Sequence, residues 1–525
     1  METNLRNAAR RMFMECYADR WPFVVSALVA AAVHYPIYAY QLRNMDSLHV
    51  GSLYVADEWD FHPYWETAQG RWGLRLIDLL RGGINLPPLS AFLMLLFFLL
   101  AGLLVVRLFG LHGRVARFLI PVLIVCAPYV AEVETFHYCS AAYGLSYLLA
   151  VLAVFAAVWA PPRWGWAAGA VCLMFSLSMY QASLGVAAGL CLMVLLLELL
   201  RTPQPLRHPG GLLLRMAAMG VSGSIAYAVI LKLFLKLYDV GMFGAYAEGP
   251  AEVIKGIPSG IMHAYSNFWA YFTQNNVSAQ NYYGQRLAYL LLAAAALISL
   301  VRWLAAIHRG DTTLLAVVLL LLLPVAVDVT DILNANTQIE LRMAGALVLM
   351  APFALALLEH APCGDAHRLP GAVLAGALCG VILMRGYVVQ ISNDSLVMLD
   401  QKNKIVNLAN RICLQLEQNA DYQAGAQVCI LGEPQKGMYA DVSPLSEKAS
   451  KLAGFGLLSY DPTFNSRGWH SLYWEELGIK MNWCSDEETR ALCASDTFQS
   501  MPIYPQEGCI RAIDGVVVVK VAEIQ

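Results

Sequence analysis

The chain has 525 residues, 58% hydrophobic and 14% charged, with a formal net charge of −3. A soluble domain carries roughly 45–50% apolar and about 25% charged residues, so the apolar excess is too large for one aqueous core. The small net charge speaks against a nucleic-acid partner. Twelve cysteines lie scattered without CxxC or Cys/His spacing, and GxxxxGK[ST], HExxH and GxSxG runs do not occur, which argues against the chemistry those motifs serve.

A hydrocarbon core of about 30 Å takes ~20 apolar residues as helix, because backbone N–H and C=O groups find no partner in lipid. In chain order the apolar runs are 21–40, 88–108, 118–133, 141–160, 164–181, 184–200, 212–238, 287–307, 314–329, 341–358 and 372–391. They predict a polytopic α-helical membrane protein with about eleven transmembrane helices. The fifth and sixth runs are close enough to form one bent hairpin. The first lacks a small-residue cleavage site and reads as a retained anchor. Arg6, Arg10, Arg11 and Arg20 place the N-terminus in the cytoplasm, and Arg107, Arg114, Arg117, Arg163, Arg201, Arg207, Arg215, Arg302, Arg309 and Arg368 fall in loops on the same side. The loop 41–87 breaks this trend with Arg43, Arg71, Arg75 and Arg81, and its acids and aromatics mark it as a site.

An odd number of crossings puts the C-terminal portion on the far side. Residues 392–525 form a soluble α/β domain after a membrane domain of residues 1–391. From 393 onward the chain holds 11 Lys+Arg and 17 Asp+Glu, so charge does not draw it to anionic head groups. Residues 394–418 read as an amphipathic helix. Residues 427–431 read as a buried strand closed by Gly432, and 509–521 as a hairpin turning at Asp514-Gly515. Of Cys413, Cys429, Cys484, Cys493 and Cys509, the sequence-near pair Cys484 and Cys493 is positioned to bond on an oxidising side.

The polar residues gather on the outer face. The loop 41–87 carries Asp57-Glu58-Trp59-Asp60, His62, Trp65, Glu66 and Gly70-Arg71-Trp72. The next outer turn carries Glu132, Glu134, His137 and Tyr138, and the third Tyr180-Gln181. The loop 239–286 is rich in Tyr, Asn and Gln. The loop 328–341 carries Asp328, Asp331 and Glu340, and Arg342 opens the next helix. Asp57, Glu58 and Asp60 crowd three carboxylates into four residues, which raises one pKa and prepares a general base. The same carboxylates are suited to holding a divalent cation such as Mg²⁺ or Mn²⁺, and a solvated surface loop is the plain alternative. Residues 64–81 read as one helix in the interface, with Trp65 and Trp72 as belt anchors. Arg71 carries the planar fork that suits phosphate oxygens. Glu132, Glu134 and His137 end a membrane helix, where ionisable groups are costly and either serve function or cap the helix. Tyr180 and Gln181 bond a sugar or tie helices together. Arg342 binds phosphate or pairs with Asp328, Asp331 or Glu340.

This order of motifs resembles the bacterial type II glucosyltransferases, polytopic membrane enzymes that decorate O-antigen and convert serotype. The resemblance runs over most of the chain. It rests on Asp57-Glu58-Trp59-Asp60 followed by Gly70-Arg71-Trp72, on Pro128-Tyr129 and Phe136-His137-Tyr138, on Ser178-Met179-Tyr180-Gln181, on Arg342, and on a helical segment over 387–416. At Cys139-Ser140-Ala141 the chain departs from the family pattern, which has an Asp there, leaving Glu132 and Glu134 as the acids of that turn. The resemblance implies a GT-C-like glycosyltransferase of the bacterial inner membrane with a periplasmic C-terminal domain. It implies a hexose, glucose, moved from a polyprenyl-phosphate-sugar donor to a lipid-linked or surface polysaccharide in one inverting displacement. Asp57 and Glu58 are then the candidate bases with Asp60 in support. Arg71 and Arg342 are the phosphate candidates. Trp72, Glu132, Glu134, His137, Tyr138, Tyr180 and Gln181 are further substrate contacts.

Other functions fit parts of the pattern. A transporter or flippase of lipid-linked glycan predicts mid-membrane charges and related halves, whereas most charges here sit at helix ends. A non-catalytic scaffold predicts indifference to the Asp57–Asp60 cluster. A surface-polysaccharide polymerase or ligase shares the outer carboxylates and the lipid donor.

Overall fold

The computed structural model describes residues 20–50, 63–81, 86–201, 208–242, 250–273, 284–307, 310–333, 340–360, 371–433, 449 and 461–524. The helices are α1 (Arg20–Ala39), α2 (Met45–Val50), α3 (Pro63–Ala68), α4 (Trp72–Arg81), α5 (Pro87–Leu108), α6 (Arg114–Val125), α7 (Pro128–Thr135), α8 (Ser140–Trp159), α9 (Gly165–Met179) and α10 (Ser183–Leu200). They continue with α11 (Pro209–Tyr238), α12 (Pro250–Thr273), α13 (Gln285–Ile307), α14 (Gly310–Val327), α15 (Val329–Leu333), a 3-10 segment Leu341–Leu349 running into α16 (Met350–His360), and α17 (Gly371–Gln418).

Among the described residues, ten helical spans are long and apolar enough to cross a membrane, with α6–α7 and the 3-10–α16 pair each counting once. Every predicted apolar run has its helix. The fifth, α9, is the short one: its 15 residues rise about 22 Å at 1.5 Å each, and only residues 180–182 separate it from α10. The apolar residues that face outward confirm the solvent. Leu214 and Leu237 of α11 are 71% and 73% exposed, a surface tolerable against lipid and not against water. Inside, α8 packs between α5 and α9, and α9 against α11. Small residues permit these crossings: a Cβ on Gly144 of α8 would stand 3.0 Å from the Met94 backbone of α5.

Three elements differ from the sequence expectation. The segment 64–81 is two helices rather than one, broken at residues 69–71. Trp72 is 2% exposed and stacks on Phe234 of α11 with centroids 5.2 Å apart. It is therefore a packing residue within the protein rather than a lipid anchor. The loop 239–286 contains α12, whose Phe268, Tyr271 and Phe272 pack on the bundle at the i, i+3, i+4 spacing of an amphipathic helix. Finally, the last membrane helix and the expected amphipathic helix are one 48-residue helix, α17, and the expected boundary at 391/392 falls inside it.

Beyond α17 lies a four-stranded sheet in the order β2-β1-β4-β3, made of β1 (Gln427–Leu431), β2 (Asn482–Trp483), β3 (Ile510–Ile513) and β4 (Val516–Lys520). Central β1 runs parallel to β2 and β4, while β3 and β4 form the predicted hairpin. Its turn places Asp514 and Gly515 at φ of 51° and 85°, as a two-residue hairpin loop with primed geometry requires. Helix α18 (Pro462–Ser471), a π-helical turn Leu472–Glu476, α19 (Asp486–Ala494) and α20 (Asp496–Ser500) flank the sheet. Leu408, Ile412 and Leu416 of α17 enter its core with Val428, Ile430, Trp469 and Tyr473. Cys484 and Cys493 are both free, correcting the expected pairing. The Cys484 thiol instead donates to the Val428 carbonyl at 3.6 Å, because β2 lies against β1.

Candidate active site

The site begins with a helix end. Gly70 N–H donates to the Thr67 carbonyl at 2.9 Å, and Arg71 N–H to the Glu66 carbonyl at 2.7 Å. This pair of bonds is a Schellman motif, which needs a left-handed residue after the helix. Gly70 supplies it with φ of 80°. The position is also crowded: a Cβ there would stand 2.6 Å from both Gln181 Nε2 and Tyr227 Oη. Gln181 Nε2 donates to the Gln69 carbonyl at 2.7 Å, and Tyr227 Oη to the Gly70 carbonyl at 3.0 Å. The turn is thus held from α9–α10 and from α11, and Arg71 leaves it in a fixed direction.

Arg71 meets two stacked phenols. Tyr143 of α8 and Tyr180 lie 4.1 Å apart at 15°. Arg71 Nη1 donates to Tyr143 Oη at 2.9 Å, and its guanidinium carbon lies 5.9 and 5.6 Å from the Tyr143 and Tyr180 centroids. The Tyr180 hydroxyl donates to the Arg342 carbonyl at 3.0 Å. The Arg342 guanidinium lies 5.0 Å from the Phe136 ring, which in turn contacts Tyr143. Arg342 also pairs with Glu340 and keeps 30% of its side chain exposed. Two guanidiniums therefore flank one aromatic floor of Phe136, Tyr143 and Tyr180. Glu132 lies near enough for its charge to act on both Tyr180 and Arg342. Arg342 is the second residue of the 3-10 segment Leu341–Leu349, which kinks at Ala344, and a Cβ on Gly345 just after the kink would press on the Tyr129 ring at 2.8 Å.

The start of the acidic loop is anchored at the same end of the bundle. Arg43 is 4% exposed and pairs with Glu475 and, at 2.6 Å, with Glu476 of the terminal domain. Lys402 of α17 reaches Glu476 at 2.8 Å and the Tyr40 carbonyl at 2.9 Å. Ser47 Oγ donates to the Thr135 carbonyl at 2.8 Å and accepts from His137 N–H at 3.1 Å. Leu48 sits within the terminal domain's core. The terminal domain and α7 thus fix the chain up to α2, while the Gly70 motif fixes it after α3.

The family described as Glucosyl transferase GtrII matches residues 51–353, more than half of the chain. The chain belongs to the GtrII glucosyl transferase family. It is a multi-pass membrane glycosyltransferase. No curated protein and no solved structure matches it. The matched span opens at the acidic loop and closes in α16, so it holds the whole aromatic floor and both arginines and leaves the terminal domain outside.

Within this GtrII chain the predicted site residues separate into groups. Arg71, Tyr180 and Arg342 converge on the aromatic floor, with Glu132 close by. Gln181 holds the Gly70 turn, and Trp72 packs behind it. Glu134 points into the bundle and meets His34 Nδ1 at 2.6 Å, while His34 Nε2 bonds the Val125 carbonyl at 2.9 Å. Of the two acids in that turn, it is therefore Glu132 that lies toward Arg342. His137 faces the Arg43 side, where burial first and the Arg43 charge second hold its imidazole neutral, down to about 3. Tyr138 is half-buried, and burial raises its phenol. Asp57, Glu58 and Asp60 lie outside the described residues. Among the described residues, no three His, Cys, Asp or Glu side chains gather to hold a metal ion. Sequence reading missed Tyr143 and Phe136 as site residues. Tyr143 lies inside an apolar run, and its only signal was a phenol one turn from the end of a membrane helix.

Proposed function

We propose that the protein transfers glucose from a polyprenyl-phosphate-glucose donor to O-antigen polysaccharide at the periplasmic face of the bacterial inner membrane. The observation that carries this reading is the pair of arginines on one aromatic floor, at the end of the bundle where the acidic loop is anchored. A phosphodiester leaving group develops charge as it departs, and fixed guanidiniums in a partly water-excluded site stabilise that charge. The buried rings of Phe136, Tyr143 and Tyr180 hold the guanidiniums in place.

In the proposed step the acceptor hydroxyl oxygen attacks the anomeric carbon. Its proton passes to a carboxylate of the acidic loop, Asp57 or Glu58, with Asp60 in support. The bond from the anomeric carbon to the phosphate oxygen breaks, and polyprenyl phosphate leaves with the electron pair, inverting the configuration. The loop suits this role because both of its flanks are tied down beside Arg71. A lipid tail finds a counterpart in an apolar groove of about 390 Å³ between α12, α13, α14 and α16, lined by Phe268, Trp269, Phe272, Tyr289, Leu297 and Leu320. Tyr289 opens this groove near the outer end of α13, and Met350 lines it eight residues after Arg342. A donor held outside the cytoplasm by its lipid needs no nucleotide.

The test is transfer of radiolabelled glucose from polyprenyl-phosphate-glucose into surface polysaccharide by membranes containing the wild type, Asp57→Asn or Glu58→Gln at equal expression. Transfer by the wild type and its loss in either variant is the expected result. Full activity in both variants would remove the base from this loop, and no transfer by the wild type would overturn the reading.

A further inference from the structure

The terminal domain carries a second concave site. A cleft of about 740 Å³ opens between the start of β1, the outer strand β2 and helix α18, with Gln427, Arg467, Lys480, Asn482, Trp483 and Asp486 among its walls. This volume is that of a small-molecule site, about 300–1,000 Å³. None of these residues contributes to the aromatic floor or to its arginines.

The cleft's chemistry selects its ligand. Its charges come in opposite signs, and Arg467 already pairs with Asp486 through two hydrogen bonds. Gln427 Nε2 likewise donates to Glu488 at 2.8 Å. Such a wall has no net field to hold an ion. It offers instead alternating donors and acceptors, as a ligand rich in hydroxyls requires. Trp483 gives the cleft an aromatic surface of fixed plane. His470 stacks behind it at 5.1 Å and 27°, and Tyr473 braces it at 5.9 Å. His470 is itself held neutral, pushed down to about 4 by burial and then by Lys480. The indole N–H of Trp483 is buried and has no hydrogen-bond partner among the described residues.

We propose that this cleft is a saccharide subsite that binds the acceptor polysaccharide away from the transfer site. Its acceptor role rests on the transferase reading above; saccharide binding itself does not. The cleft also has a short path to the catalytic end. His470 on its wall is followed within six residues by Glu475 and Glu476, which grip Arg43 through the π-helical turn. The terminal domain thereby holds both a polysaccharide and the root of the acidic loop on one helix.

The experiment uses the full-length protein in nanodiscs and lipid-free O-polysaccharide released by mild acid from cells of the same strain that lack the protein. Binding is measured by calorimetry for the wild type, Trp483→Ala, Asn482→Ala and Arg71→Ala, and glucose transfer is measured in parallel. Expected is wild-type binding that weakens about tenfold or more in Trp483→Ala, weakens in Asn482→Ala, and persists in Arg71→Ala. The exposed Asn482 keeps the test valid should Trp483→Ala fail to fold. Absence of wild-type binding, or equal binding by both cleft variants, overturns the proposal. Cleft-dependent binding without any glucose transfer sustains the subsite and overturns the transferase reading instead.

Discussion

Tyr180 and Arg342, 162 residues apart, are joined by a hydrogen bond from the phenol to the backbone carbonyl at 3.0 Å. The bond fixes the first turn of the 3-10 segment against the α9–α10 connection, and so sets where the Arg342 guanidinium stands. Tyr180→Phe keeps the stack on Tyr143 and removes this bond alone. A hydrogen bond of this kind contributes about 0.5–1.5 kcal/mol. We therefore expect a several-fold fall in glucose transfer with a nearly unchanged melting temperature, read by a transfer assay beside thermal unfolding in detergent.

Arg71 and Arg342 are expected to act on the departing phosphate rather than on the fold. Removing one fixed donor from a site of developing charge costs about 10²–10³ in rate. Arg71→Ala and Arg342→Ala should each lose transfer on this scale at saturating donor. Lysine at either position restores only part of it, because an ammonium lacks the planar fork. Equal activity in the lysine variants would make these residues simple point charges.

Gly70→Ala tests the turn that aims Arg71. The substitution adds a Cβ 2.6 Å from Gln181 and Tyr227 at a φ of 80°. Left-handed backbone and overpacking each cost about 1–3 kcal/mol. A lowered melting temperature is expected, together with a loss of transfer approaching that of Arg71→Ala.

The anchor at Arg43 predicts a pH dependence. Burial alone would raise the Glu476 carboxyl, yet Arg43 and Lys402 outweigh it and hold the group below its ordinary value. A carboxylate depressed in the folded state adds stability above its unfolded pKa of about 4.3 and loses it as pH falls through the folded value. The dock between the terminal domain and the loop after α1 should therefore be intact at neutral pH and weaken below about pH 4. Limited proteolysis across this range reads the release. Arg43→Ala should release the dock already at pH 7, since removing one partner of a buried ion pair costs about 3–5 kcal/mol.

The apolar runs alone determined the membrane helices, because hydrocarbon requires each span to satisfy its backbone within itself and to show apolar side chains outward. The strand at Gln427–Leu431 and the Asp514-Gly515 turn were legible for a similar reason: burial and left-handed backbone are local demands. Arg71, Tyr180 and Arg342 could be singled out as polar groups at helix ends. Their convergence could not, since it depends on how α3, α9 and the 3-10 segment pack. Tyr143 was hidden because an aromatic in an apolar run reads the same whether it faces lipid, core or substrate, and Phe136 stood out only as part of the Phe136-His137-Tyr138 motif. The burial of Trp72, the pairing of Arg43 with Glu475 over 432 positions and the terminal cleft were settled only by tertiary structure. Each is a contact between distant segments, and hydropathy and spacing report only on a residue's neighbours along the chain.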